Sequence, residues 1–348
     1  MMKAVNEGRI GITPTVASHW DLCIQCRACE VVCPSGVPYG NLIEATMSEM
    51  ARRHTSGLLS GLVSHISLNR VLIHQGRLAL AATGLKLYQR LGVQWVLRKT
   101  GLLRLLSGRL AELEGSLPKI PSLFFQAKGQ VVAPATDTKM RVALLSGCVM
   151  PLVHGPEMEA VTRVLARNGC EVVVPKEQRC CGAISSHVGD LDTARSLARR
   201  NVDAFLAAGV EAIVVASAGC GSRMKEYGHL LRSDADYAGR ARRFEGMVRD
   251  VHEFLAELPL DPPKASLDHK VTYQDSCHLA NPQSVTEQPR ALLRAIPGVE
   301  LVELPGASVC CGGGGTYTIT ERESSLKILE SKMTAVKETG AEVLATAN

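Results

Sequence analysis

Four cysteines in the run C-I-Q-C-R-A-C-E-V-V-C-P, Cys23, Cys26, Cys29 and Cys33, are spaced by three, three and four positions and closed by Pro34. Three thiolates at C-x2-C-x2-C can wrap one face of a cubane, and the Cys-Pro step then turns the chain away, which is the bacterial run for a [4Fe–4S] cluster. Where two such clusters share a protein, the fourth cysteine of a run ligates the other cluster. Cys23, Cys26 and Cys29 are therefore expected to share one cluster. Cys33, the remaining candidate ligand, reaches toward a partner that a lone run does not supply.

A second set of cysteines lies far along the chain and recurs. Cys148 is followed by Cys180-Cys181-Gly182 and Cys220; Cys277 is followed by Cys310-Cys311-Gly312. The offset is 129 from Cys148 to Cys277 and 130 from Cys180 to Cys310, the mark of an internal duplication. Soft thiolates in such numbers suit an iron–sulfur cluster or zinc. Zinc prefers C-x2-4-C loops to adjacent cysteines, so iron–sulfur is the favoured reading. The bland alternative for a vicinal pair is two small buried apolar side chains. That alternative suits Cys170, which has no counterpart in the second copy, better than two matched Cys-Cys-Gly motifs.

Strands and helices must carry these residues to one place. Arg141–Ser146, Glu171–Val174 and Ala212–Ala216 read as short apolar strands, with helices over Glu157–Asn168 and Leu191–Ala208 between them. The second copy repeats this with strands at Lys270–Tyr273, Val299–Leu304 and Glu342–Ala345 and helices at Pro289–Ala295 and Ser325–Glu338. Alternation of this kind predicts a largely parallel sheet, with each cysteine just past the carboxyl end of a strand, where open α/β sheets bind ligands. The fold class is thus α/β: a helical ferredoxin-like N-terminal unit followed by two duplicated small α/β domains. The expected boundaries are 1–50 for the cluster unit, 51–125 for a basic helical segment, 126–140 for a linker, 141–265 for the first Cys-Cys-Gly domain and 266–348 for the second. A match to Cys220 in the second copy would fall at position 350, so that copy is expected to be incomplete.

Composition narrows the setting. The 348 residues are 46% hydrophobic and 21% charged, ordinary for a globular chain. Residues 1–20 lack the apolar core of a secretory signal, and the cysteines are grouped rather than scattered in pairs, so a reducing, cytoplasmic setting is expected. No apolar run of 18 or more predicts a membrane span. From Ala51 to Lys119 there are eleven Lys and Arg but only Glu112 and Glu114, a local charge of +9 in a chain totalling +5. From Leu58 to Leu113 apolar residues, Leu72 and Ile73 among them, recur at helical spacing between glycines, reading as several short helices. Their basic side either faces solvent or a partner or lies peripherally on the cytoplasmic face of an anionic membrane. Nucleic acid is not an expected partner, because no aromatics interleave the basic residues.

Gly312–Gly315 lacks the G-K-[ST] ending of a phosphate loop, and no G-x-G-x-x-G opens a helix after a strand, so no flavin is expected in this chain. Gly182 and Gly312 read as points of close backbone approach to a cluster. His187 and His278 are candidates to ligate metal or to hydrogen-bond a cluster sulfur, with a core or capping role as the plainer reading. Lys225, Glu226 and Tyr227 read equally as a helix-start charge pair.

The ferredoxin-type run with C-P-S-G, then G-C-V-M-P, R-C-C-G-A, H-V-G-D and A-G-C-G-S-R-M-K-E-Y-G, then C-H-L-A and V-C-C-G-G-G-G-T-Y, resemble in this order the iron–sulfur subunits of glycolate oxidase. These belong to a wider group that includes lactate-utilisation proteins, the anaerobic glycerol-3-phosphate dehydrogenase C subunit and heterodisulfide reductase. The resemblance implies an electron relay serving a flavin-binding subunit that oxidises a 2-hydroxy acid. It implies one [4Fe–4S] cluster at the N-terminal run and one in the Cys-Cys-Gly body. Family members usually carry two ferredoxin runs and a closing P-G-C motif, so the chain is expected to be truncated at both ends. In the wider group a C-x2-C follows, whereas Arg223 stands three positions after Cys220. A heterodisulfide-reductase-like thiol–disulfide activity is the alternative, weakened by that missing thiolate.

Overall fold

The structure is a computed structural model and describes residues 1–53, 71, 73–135 and 137–347. Expectations for the stretch from Leu58 to Arg70 and for Leu72 lie outside the described residues.

The first sheet forms because its strands are apolar on both sides. Its order is β1-β3-β2-β4-β5, with β1 Val131–Val132, β2 Met140–Leu144, β3 Cys170–Val173, β4 Ala212–Val215 and β5 Val248–Asp250. All neighbours are parallel except the β1–β3 pair. Because side chains alternate along a strand, Ala143, Ile213 and Val215 face one helical layer with Val202, Phe205, Tyr227 and Phe244. Val142, Leu144, Val172 and Val214 face the other with Met158, Leu165 and Phe254. Burial on both faces is why these strands read as continuous apolar runs rather than alternating ones. The two-residue β1 falls within the stretch expected to be linker, and β5, whose Arg and Asp conceal it, has no counterpart among the expected strands.

A second sheet has the order β7-β6-β8, all parallel, with β6 His269–Gln274, β7 Val299–Glu303 and β8 Val343–Thr346. Its central strand is flanked by the next two in chain order, as β2 is flanked by β3 and β4 in the first sheet. The duplication seen in the cysteine spacing is therefore a duplication of topology. At the end of β6, Arg290 makes a two-pronged ion pair with Asp275, 2.8 and 3.0 Å, both side chains being buried. The same guanidinium stacks over Tyr273, 5.2 Å from the ring centre. This anchors the turn leading from β6 into Cys277.

The N-terminal unit has a small core of Ala17, Trp20, Ile43 and Met50, set by the helices Pro14–Asp21 and Tyr39–Arg53. Short helices, Gln75–Arg90, Val93–Thr100, Leu102–Leu106 and Gly108–Gly115, follow in the basic segment. Gly92 and Gly101 break them in the left-handed conformation. No helix among the described residues is long and apolar enough to cross a membrane.

Replacing Arg290 with Met is expected to destabilise the protein by about 3–5 kcal/mol, because Asp275 is left buried without its partner. Urea unfolding of both proteins measures it.

Candidate iron–sulfur site

The loops leaving β2, β3 and β4, three adjacent strands, carry Cys148, Cys180-Cys181 and Cys220, and their side chains meet. Cys148 hydrogen-bonds Cys180, Cys180 also bonds Cys181, and Cys181 bonds Cys220. These contacts push the Cys148 and Cys181 thiols up, together with burial, and hold Cys180 and Cys220 below the ordinary thiol range. Ile73 and Leu78 of the basic segment pack over Cys148, Cys180 and Leu197 and cover the group.

Three buried polar side chains hold these loops. Gln178 accepts from the Ser146 amide at 2.7 Å and donates to the Leu144 carbonyl at 3.3 Å, joining the end of β2 to the loop before Cys180. Asn201 accepts from the Arg179 amide and donates to the Cys180 carbonyl at 3.0 Å. The Tyr227 hydroxyl donates to the Cys181 carbonyl at 2.8 Å. Gln178 and Asn201 are not among the sequence candidates, since a buried amide in a loop or on an apolar helix face has no spacing signature. For Asn201 a polar residue in the otherwise apolar stripe of its helix is the cue; Gln178, among charged loop residues, offers none.

The second copy brings Cys310 against Cys277 and Cys311, and against Cys26 of the N-terminal run. The hydrogen bond with Cys310 lowers Cys26 to about 6 and Cys311 to about 5, while Cys310 is pushed well up. Cys23, half-buried and bonded to Tyr39, and the exposed Cys29 lie near Cys26. Cys33 is not brought to these thiols. Its sulfur sits at the surface in a cradle of amides from Val37, Ser35 and Gly36, which lowers its pKa. Cys170 begins β3 deep in the apolar core.

The two motif glycines do the same thing. At φ 82 and 84, Gly182 and Gly312 turn their amides toward Cys180 and Cys310, the latter at 3.4 Å from the sulfur. A side chain has no room at Gly312, where a Cβ would lie 2.4 Å from the Ser325 carbonyl oxygen, and little at Gly182, where one would lie 3.3 Å from Ala194.

The histidines are placed at a junction rather than among the thiols. Gln25 donates to the His187 carbonyl at 2.9 Å, and its own side-chain oxygen accepts from His187 Nδ1 at 2.7 Å. His278 Nε2 donates to the Gln25 carbonyl at 3.0 Å, and the two rings meet edge to face. Asn281 donates to the Cys26 carbonyl at 2.7 Å and Tyr317 to that of Leu22 at 3.2 Å. Glu226, far from being a plain helix-start charge, receives both Arg223 and Arg27. Residues 22–27 thus lie in a seam between the two copies, with Gln25 and Arg27 held at φ 57 and 63.

Among the described residues, no group of three or more His, Cys, Asp or Glu side chains is disposed to hold one metal ion. The sulfurs adjoin in a row instead. All-thiol donors with amide hydrogens directed at sulfur suit an iron–sulfur cluster, whose sulfurs accept such bonds.

Family models match in three places: the 4Fe-4S binding domain at residues 17–39, the linker region of the glycolate oxidase iron-sulfur subunit at 60–117, and the cysteine-rich domain twice, at 142–225 and 271–348. The chain is therefore an iron–sulfur protein of the type that joins a ferredoxin-like segment to paired cysteine-rich domains. A probable glycolate oxidase iron-sulfur subunit of Bacillus subtilis is 39% identical over 351 residues, covering this whole chain and 79% of that protein. The glycolate oxidase iron-sulfur subunit of Escherichia coli is 31% identical over 357 residues, again covering the whole chain and 80% of the relative. Lactate utilization protein A of Bacillus licheniformis is 33% identical over 206 residues, 59% of this chain and 86% of that protein. The chain belongs to the glycolate oxidase iron–sulfur subunit family.

Gly312→Ala is expected to cost about 1–3 kcal/mol from the left-handed backbone alone, with the Ser325 clash adding to it. Denaturant unfolding of the variant checks this. His187, lowered to about 3 by burial and by the neighbouring His278, Arg223 and Arg27, stays neutral in the folded protein. The unfolded chain takes up a proton near pH 6.5 that the native site refuses, so stability should fall as pH drops from about 6.5 toward 3. This decline should be shallower in His187→Gln, as read from unfolding free energies across that range.

Proposed function

We propose that this chain is the electron-transfer subunit of a flavin-dependent 2-hydroxy-acid dehydrogenase complex, with glycolate as the substrate. The reading is supported by the names of the two full-length relatives and, above all, by the contact between Cys26 and Cys310, which puts the N-terminal run and the Cys-Cys-Gly body in direct reach of each other. Cys23, Cys26 and Cys29 would hold one [4Fe–4S] cluster, and Cys148, Cys180, Cys181 and Cys220 a second. Such a cluster, when bound, accepts and returns single electrons. Asn201 and Tyr227 fix the carbonyls of the vicinal pair, Gly182 directs an amide to sulfur, and Ile73 and Leu78 exclude water. Cys277, Cys310 and Cys311 lie against the first cluster's loop and extend the thiol row through which electrons would pass.

Oxidation of the hydroxy acid removes two electrons and belongs to a flavin-binding partner, for which this chain supplies acceptors. Cys33, half-buried and cradled by amides, would serve as a ligand toward a neighbouring cluster. The basic helical segment exposes Leu80, Leu91, Trp95, Leu105 and Leu106 among its cations, a surface suited to a partner subunit or to the cytoplasmic face of a membrane.

Anaerobic reconstitution followed by iron and sulfide analysis and EPR tests the assignment. The wild type should give at least two cluster signals, Cys181→Ser should lose the body signal alone, and Cys26→Ser should lose the N-terminal one. A folded protein without an EPR-active cluster after reconstitution overturns the reading.

A further inference from the structure

Arg223 stands one helical turn beyond Cys220 in the helix Ala218–Met224 and is only 3% exposed. One guanidinium nitrogen donates to Glu44 of the N-terminal unit at 2.6 Å, and another to Glu226 at 2.7 Å. Glu226 is shared with Arg27, which lies between Cys26 and Cys29. The third nitrogen, Nε, is buried and has no hydrogen-bond partner. It belongs to a small polar pocket lined also by His187 and by Gln25, Ser222 and His278, which lie within two positions of Cys26, Cys220 and Cys277. A permanent cation, paired with two carboxylates, is therefore built into the junction between the helix that carries Cys220 and the loop that carries Cys26. Glu44 and Glu226 hold it in place, and an apolar side chain there would leave Glu44 largely buried without its partner.

We propose that Arg223 sets the reduction potential of the centre at Cys148, Cys180, Cys181 and Cys220 and, through Glu44 and Glu226, ties that centre to the seating of the N-terminal cysteine loop. The inference rests on the cluster assignment above. One-electron reduction adds one negative charge to a cluster, and a guanidinium stays protonated throughout. Buried charges are screened far less than surface ones, so the cation stabilises the reduced state and raises the potential. Glu44 acts in the opposite sense from the far side of the same guanidinium. Arg223 is thus a positioning and tuning residue that touches neither the hydroxy acid nor the flavin.

Redox titration of the reconstituted full chain at pH 8, followed by EPR, tests this on the reduction step that disappears in Cys220→Ser. Arg223→Gln should shift that step to lower potential by about tenfold in the equilibrium constant, 59 mV for a one-electron couple. Glu44→Gln should shift it upward, and Arg223→Lys, which keeps the charge, should stay within about threefold of wild type. A purely structural role would move Arg223→Gln and Glu44→Gln in the same direction. Unmoved potentials, or shifts of the same sign, in folded variants with full iron and sulfide overturn the inference and leave the cluster assignment standing. A wild type with no such step overturns that assignment, and the inference with it. Should Arg223→Gln fail to fold, the upward shift in Glu44→Gln and its absence in Arg223→Lys decide the matter.

Discussion

The structure turns on how six residues, Leu22 to Arg27, are seated between the two halves of a duplication. The first copy holds them with His187 and Glu226, the second with His278, Asn281 and Tyr317. Each contact alone is an ordinary hydrogen bond or ion pair, of the order of 1 kcal/mol net. Together they fix a loop whose Gln25 and Arg27 backbones are left-handed, a conformation costly for residues other than glycine. The same contacts that bear this cost decide which thiol of the N-terminal run meets Cys310.

Within each copy, the sheet does the corresponding work. Parallel strands end at the same edge, so cysteines over 30 residues apart in sequence emerge side by side. The duplicated order, a central strand flanked by its two successors, repeats this edge twice. The Cys-Cys-Gly motif then serves a local geometric need. A chain presenting two successive sulfurs to one centre must turn at once, and glycine makes the turn while leaving its amide aimed back at the first sulfur.

Much of this was legible beforehand because thiol spacing and strand–helix alternation are local signals. Cys148, Cys180, Cys181 and Cys220 were recognisable as a group, and so was the repeat. The meeting of Cys26 with Cys310 was not, since nothing in either motif encodes a contact across 284 positions of chain. Nor was the part played by Gln178 and Asn201, whose significance comes from the loops they join. In sequence Arg223 marks only a missing thiolate and Glu226 half of a helix-start charge pair, because burial of an ion network is a tertiary property. β5 escaped notice since its Val-Arg-Asp carries a cap for the following helix, and Asp250 accepts from the His252 amide there.

The seating of the loop also orders events during synthesis. Leu22 and Cys26 are secured by Tyr317 and Asn281, 295 and 255 residues later. Domains fold as they are made, from the N-terminus, and contacts of such separation form last. The seam around Cys26 therefore closes after the second copy has formed. Leu22 and Cys26 are thus fixed only once the helices that carry Tyr317 and Asn281 are in place, while Cys29 stays exposed even then.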